Sequence, residues 1–173
     1  MKTLLTEDQV KQGIRRLAEQ IQAHYKGKPL TIVGVLIGSV VLLADLIRLL
    51  NIPLRVELVQ ARSHHDGARP GPLAINLELL STDIRGRDVL LVDDIFDTGN
   101  TLWELIPQID ELDPSSIRTA VLLLKQGQSK VSLKPDFVGF EIPNEFVVGY
   151  GLDYRDLYRN LPYVAILEPS DMN

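Results

Sequence analysis

Within the stretch from Val89 to Leu102, written VLLVDDIFDTGNTL, four apolar residues run straight into two adjacent carboxylates, Asp93 and Asp94. A third, Asp97, follows three residues later, and Thr98, Gly99, Asn100 and Thr101 then lead into a helical pattern. Like charges crowded together repel, and burying them is unfavourable unless something compensates, so the acids imply a cationic or hydroxyl-bearing partner. Being adjacent, Asp93 and Asp94 point in different directions and can each take their own partner. Thr98 to Thr101 supply backbone N–H groups at a helix N-terminus, a ready anion site, and Gly99 lets the backbone approach closely. Carboxylates suit ribose hydroxyls and a magnesium shell, while the amides suit a phosphate. A sugar phosphate carrying Mg²⁺ satisfies both halves. The plainer alternative makes Asp93 and Asp94 solvated turn residues and Thr98 a helix cap, but three acids beside an amide nest exceed what capping requires.

Elements of regular structure must hold this turn in place. Thr6 to Gln9 fits a capping box, and Val10, Ile14, Leu17 and Ile21 recur at helical spacing up to a stop at Gly27. Leu30–Leu36 is an apolar run of strand length, Gly38-Ser39 breaks it, and Val40–Leu50 reads as a helix. Leu54–Val59, Val89–Val92 and Ile117–Leu124 are further strand candidates, and Thr101–Leu112 is the helix after the acidic turn. Shorter strands are expected at Phe137–Phe140 and Phe146–Gly149, and another at Ile75–Leu80, before a turn over Asp83–Asp88. Residues 61–73, ARSHHDGARPGPL, hold two glycines, two prolines and two histidines and read as a long loop of the kind that acts as a lid. Strands alternating with helices, with fully apolar strand interiors, indicate an α/β fold with a parallel sheet covered on both faces. Ligands of such sheets gather outside the carboxyl ends of the strands, where Asp93 and Asp94 sit.

The 173 residues fit one domain spanning 1–173, with 45% hydrophobic and 24% charged residues. A net charge of −5 argues against general nucleic-acid binding, though a small phosphorylated ligand needs only a local pocket. With no cysteine, disulfides, zinc-thiolate sites and cysteine nucleophiles are excluded. The opening MKTLLTEDQV reaches Glu7 and Asp8 before a signal-peptide core could form, and the most apolar region, Ile32 to Ala44, is broken by Gly34, Gly38 and Ser39. A cytoplasmic protein with no membrane partner is expected.

VLLVDDIFDTGNTL closely resembles the phosphoribosyl-pyrophosphate signature of type I phosphoribosyltransferases. The resemblance extends over nearly the whole chain: KPDFVGFEIP (Lys134–Pro143) and FVVGYGLDY (Phe146–Tyr154) are similar to the base- and metal-binding end of the hypoxanthine-guanine branch. It implies the type I phosphoribosyltransferase fold, with a small hood built from the C-terminal segment, about 125–173, and the N-terminal region. It also implies purine salvage: transfer of phosphoribosyl from phosphoribosyl pyrophosphate to N9 of hypoxanthine or guanine, giving IMP or GMP and pyrophosphate, with Mg²⁺ as cofactor. A homodimer or homotetramer is suggested by the same likeness.

By that resemblance Asp93 and Asp94 hold the ribose hydroxyls directly or through Mg²⁺, and Thr98, Gly99, Asn100 and Thr101 cradle the 5′-phosphate. Asp97 faces the purine N7 as proton acceptor; its plainer role is to cap the nest. Lys125 donates to the purine O6, Phe146 stacks on the base and the Val147 backbone reads its edge. Taken alone, Lys125 would be a solvated strand end, Phe146 a core residue and Arg159 a surface charge. Asp153 ligates Mg²⁺ on the pyrophosphate side, and Arg159 contacts pyrophosphate with the loop Ile37, Gly38 and Ser39.

Two positions depart from the family pattern. Val35-Leu36-Ile37-Gly38-Ser39 stands in place of the usual Leu-Lys-Gly, a loop that often holds a cis peptide, so with Ile37 the side-chain cation is missing while the Gly38 and Ser39 amides remain. Ser63-His64 stands where the lid usually carries Ser-Tyr, and His64 can stack similarly or add a titrating charge. His64 and His65 do not suit a metal site, because neighbouring side chains diverge. These departures motivate an alternative from another class: a purine-nucleotide or phosphoribosyl-pyrophosphate sensor with little catalysis. A phosphotransfer receiver also clusters aspartates, but it needs its acid pair at the first strand, and Leu30–Leu36 carries none.

Overall fold

The structure, a computed structural model, describes residues 1–60 and 84–171. The expected lid over 61–73, with Ser63 and His64, and the expected strand over 75–80 lie outside the described residues.

Helix α1, Glu7–Tyr25, opens on a complete capping box: the Gln9 N–H donates to Thr6 Oγ1 at 3.3 Å, and the Thr6 N–H donates to the Gln9 side chain at 2.8 Å. Its apolar stripe, Val10, Ile14, Leu17, Ile21 and Tyr25, is buried, and the chain leaves through Lys26 and Gly27 in left-handed conformations. Strand β2, Leu30–Leu36, lies at the heart of a five-stranded parallel sheet with β3 (Leu54–Gln60), β4 (Asp88–Phe96), β5 (Ser116–Lys125) and β6 (Phe137–Ile142), in the order β3-β2-β4-β5-β6. From β2 the chain first moves outward through α2 (Val40–Leu49) to β3, then crosses back to β4 and continues the other way through α3 (Asn100–Asp110). The switch point therefore falls between β2 and β4, whose carboxyl ends are in register on one edge, Gly34 opposite Val92.

Each face of the sheet has its own core. Leu30, Ile32, Leu90, Val92 and Leu122 pack with α1 and α2, while Val33, Leu91 and Val121 pack with Leu102, Leu105 and Ile109 of α3. Alternate residues of one strand thus serve opposite cores, which is why these strands are apolar without interruption. The expected hood is a separate antiparallel sheet, β1 (Lys2–Leu5) to β8 (Val164–Ile166) to β7 (Val147–Val148).

The elements differ from expectation mainly at their ends. β4 does not stop at Val92. Its ladder with β5 continues through Asp93 opposite Val121 to Phe96 opposite Leu124, so pairing overrides the poor strand propensity of aspartate. β5 likewise runs through Lys125, and β7 keeps only Val147 and Val148 of the expected strand. Among the described residues no helix is long and apolar enough to cross a membrane.

Candidate active site

The carboxyl ends of β2 and β4 open onto a cavity of about 500 Å³ lined by three segments: 35–38, 93–99 with Thr101 and Leu102, and the hood residues Asp153 and Arg159. The two carboxyls do not part as strand alternation leads one to expect: Asp93 and Asp94 share a side-chain hydrogen bond, and the charge of Asp94 bears on Asp93. Asp93 is 7% exposed and accepts the Asp94 N–H at 3.0 Å; Asp94 is less buried and lies against Gly38. A Cβ on Gly38 would stand 1.7 Å from Asp94 Oδ2, so only glycine permits this contact. The peptide between Leu36 and Ile37 is cis. Ile37 faces the cavity, 52% exposed, where the resemblance leads one to look for a cation. Ser39 turns away: its hydroxyl is buried and donates to the Val35 carbonyl at 2.6 Å, which leaves the backbone N–H for any role in pyrophosphate binding.

The turn that the resemblance assigns to a phosphate follows β4 directly. Gly99, at φ 84, is the N-cap of α3, and a Cβ there would strike the Phe96 ring. Thr98, Gly99, Thr101 and Leu102 line the cavity, whereas Asn100 is exposed and outside the lining. On the hood side Arg159 Nη2 lies 2.8 Å from Asp153 Oδ1, and Arg159 Nη1 donates to the Gly151 carbonyl at 2.8 Å.

A second cavity, about 230 Å³, adjoins the first and shares Asp94, Ile95, Asp97 and Asp153 with it. Lys125, Phe146, Val147 and Leu152 complete its wall. Lys125 is only 11% exposed in its side chain, and its Nζ lies 2.8 Å from Asp97 Oδ2. Phe146 is half exposed and meets Tyr154 edge-on at 5.7 Å between ring centroids. Ile95 and Leu152 are wall residues that the sequence reading did not single out; Leu152 lies inside the FVVGYGLDY motif, but an apolar residue there carries no chemical signal of its own.

Two cavities thus meet at shared carboxylates, one walled by a helix N-terminus and one by an aromatic ring and a lysine. Residues 1–155 match the phosphoribosyl transferase domain family. The chain belongs to that family. A hypoxanthine-guanine phosphoribosyltransferase of Staphylococcus aureus (strain Mu50) is 38% identical over 167 residues, covering 96% of this chain and 93% of that protein. A bifunctional TilS/HprT protein of Listeria innocua is also 38% identical over 98% of this chain, which spans only 26% of that longer protein. Among solved structures, a Bacillus anthracis hypoxanthine-guanine phosphoribosyltransferase superposes with a TM-score of 0.87 at 34% identity, covering 97% of this chain and 99% of that one.

The donor set of this phosphoribosyltransferase fits Mg²⁺. Asp93, Asp94 and Asp153 are hard oxygen donors, and among the described residues no group of three or more His, Asp or Glu is placed to hold a metal ion by itself. Mg²⁺ usually takes one or two carboxylates and completes its shell from water and substrate phosphates, so a sparse set of acids beside an open cavity suits it.

Burial, and then the charge of Asp94, hold the Asp93 carboxyl well above its ordinary range; burial also raises that of Asp94. The folded chain therefore binds the Asp93 proton more tightly than the unfolded chain. Its contribution to stability is fully present below the unfolded pKa of about 3.9 and is lost as pH rises through the folded value. Asp93→Asn removes this loss, and the Asn carbonyl still accepts the Asp94 N–H. The variant is expected to melt higher than the parent at pH 7, by roughly 2–4 °C if on the order of 1 kcal/mol is recovered, with the gap closing toward pH 4. Melting curves at several pH values check this, and an Asn variant that melts lower at pH 7 would exclude it.

Proposed function

We propose that this chain transfers the 5-phosphoribosyl group from phosphoribosyl pyrophosphate to N9 of hypoxanthine or guanine, giving IMP or GMP and pyrophosphate in purine salvage. The observation that carries the reading is the Lys125–Asp97 pair, 2.8 Å apart at the junction of the two cavities. It sets one donor beside one acceptor. A 6-oxopurine offers the matching edge, with O6 as acceptor next to N7, which can carry a proton; adenine places its amino donor where O6 would be. The names of the Staphylococcus aureus and Bacillus anthracis relatives support the same substrate class.

In this reading residues 1–173 work as one domain. Asp93 and Asp94 hold the ribose hydroxyls, and Thr98, Gly99, Asn100 and Thr101 cradle the 5′-phosphate with amides at the α3 N-terminus. The Ile37, Gly38 and Ser39 backbone and the Arg159 guanidinium receive the pyrophosphate. The Phe146 ring stacks on the base, the Val147 backbone reads its edge and Lys125 donates to O6. The bond from C1′ to pyrophosphate breaks through an oxocarbenium-like state as N9 attacks, and Asp97 accepts the proton that the base gives up at N7. Asp153, or Asp93 and Asp94, would hold Mg²⁺, which would supply positive charge to the pyrophosphate.

The test is direct. The protein is incubated with phosphoribosyl pyrophosphate and Mg²⁺, and hypoxanthine, guanine, xanthine and adenine are supplied separately while nucleotide formation is followed. Product with hypoxanthine or guanine, and only trace product with adenine, is expected. Binding of nucleotide without product from any base would overturn the enzymatic reading in favour of a sensor.

A further inference from the structure

The hood grips the pyrophosphate side of the site at a point outside both cavities. Asp45 lies on α2, the helix that begins immediately after Gly38-Ser39, and its carboxylate accepts from two donors: Arg48 on one oxygen and the Tyr150 hydroxyl on the other. Tyr150 is 5% exposed and belongs to the hood turn Gly149–Leu152. Four backbone bonds hold that turn: Tyr150 N–H to Leu161 O at 2.8 Å, Gly151 N–H to Arg159 O at 2.9 Å, Gly149 N–H to Leu152 O at 3.0 Å, and Leu152 N–H to Gly149 O at 3.2 Å.

All three residues at its centre have positive φ, 95, 51 and 99 for Gly149, Tyr150 and Gly151. Such a backbone is unremarkable for glycine but unfavourable for tyrosine, and it persists only where surrounding contacts determine it. Here those contacts are burial of the ring and the bond from its hydroxyl to Asp45. Burial, reinforced by the neighbouring Asp45, pushes the Tyr150 phenol above its ordinary value, so it remains a donor. One residue on, Gly151 lies so close to the Gly38 carbonyl oxygen that a Cβ would stand 2.0 Å from it. The turn therefore touches the active-site loop at Gly38 and the following helix at Asp45.

The loop it touches carries Ile37 in place of a cation, so its hold on an anion rests on backbone groups. Backbone N–H groups bind well only when they are already in place, because ordering them on binding subtracts from affinity. We infer that Tyr150 and Asp45 are positioning residues for the pyrophosphate of the donor: their hydrogen bond fixes α2 and the Leu36–Gly38 loop against the hood turn that leads to Asp153 and Arg159. This rests on the proposed phosphoribosyl transfer, since it takes the loop to be the pyrophosphate side. Neither Tyr150 nor Asp45 lines either cavity of the site, so each acts through the loop rather than on the substrate.

Tyr150→Phe removes only the hydroxyl. Calorimetric titration with inorganic pyrophosphate and Mg²⁺ gives a Kd that needs no turnover, and steady-state kinetics give KM separately for the donor and for hypoxanthine. For Tyr150→Phe the pyrophosphate Kd and the donor KM are expected to rise about tenfold, the scale of one hydrogen bond to a charged group, with the base KM within about twofold. Asp45→Ala should match it, since the lost Arg48 contact is at the surface (Arg48 is 73% exposed), and Asp45→Asn, which keeps an acceptor, should fall between. The double variant Tyr150→Phe/Asp45→Ala should be no worse than either single change, as for two halves of one interaction. Thr119→Val serves as a stability control, because Thr119 is buried and pinned to Asp136 away from the site; it should lower the melting temperature and leave the pyrophosphate Kd unchanged. An unchanged Kd in Tyr150→Phe, or equal weakening for pyrophosphate and base, would overturn the inference. If the parent protein binds pyrophosphate but forms no nucleotide, the proposed function fails while the titrations still decide the role of the pair.

Discussion

Asp97→Asn is expected to lower kcat by roughly 10²–10³-fold, within the range that general acid–base catalysis contributes, while the chain stays folded. The substitution is nearly isosteric, and the side chain is 43% exposed, so no core is disturbed. Asn keeps a carbonyl oxygen for Lys125 Nζ, now 2.8 Å from Asp97 Oδ2, so the lysine is not abandoned in its partly buried position. What Asn lacks is the capacity to take a proton. The base must lose one as N9 bonds to C1′, and without an acceptor at N7 the positive charge that develops on the purine ring has nowhere to go. Asp93, Asp94 and the amides at the α3 N-terminus are untouched, so KM for the donor should change little. Separate determination of kcat and both KM values checks this. A kcat within threefold of the parent would show that Asp97 serves to hold Lys125 and not to move a proton.

How much of this site can be read from the chain depends on how local each feature is. Asp93 to Thr101 form one contiguous segment, so its acids and amides are visible together in the sequence, and the strand-to-helix turn that aims them is implied by the change of pattern around them. Thr6 and Gln9 likewise announce the start of α1 within four residues, and the capping box is present as expected. The pairings that make the site work are not local. Lys125 reaches Asp97 because β5 runs beside β4 in a register that sets Phe96 opposite Leu124, and no property of either residue alone encodes that register. Asp153 and Arg159 were expected to meet a metal and pyrophosphate; their contact with each other depends on a hood turn whose backbone bonds join residues 149–152 to 159–161. Strands β1 and β8 escape the sequence reading because each is short and exists only through the other, Lys2 opposite Ile166 and Thr3 opposite Ala165. The contact of Gly38 with Asp94 and Gly151 is invisible for the same reason: a glycine in sequence does not say what would occupy its missing side chain.

Lys125→Ala should raise KM for hypoxanthine by roughly 10–100-fold, the equivalent of the 1.5–3 kcal/mol that a hydrogen bond to a charged group contributes. The lysine side chain is 11% exposed and sits at the end of β5 within the smaller cavity, so its ammonium is partly desolvated and a bond from it to O6 would be stronger than one made in water. Truncation also leaves Asp97 without its ion-pair partner, which should lower kcat in addition. These two effects separate by substrate. Loss of the O6 donor penalises hypoxanthine and guanine but not adenine, whose amino group finds no benefit in a cation, so the preference for hypoxanthine over adenine in kcat/KM should narrow by the same 10–100-fold. Loss of the Asp97 partner penalises every base alike and leaves that ratio unchanged. Measuring kcat/KM for both bases in parent and variant therefore distinguishes a lysine that reads the purine from one that only positions the aspartate: a ratio unchanged within twofold, with kcat reduced for both, would assign Lys125 the second role.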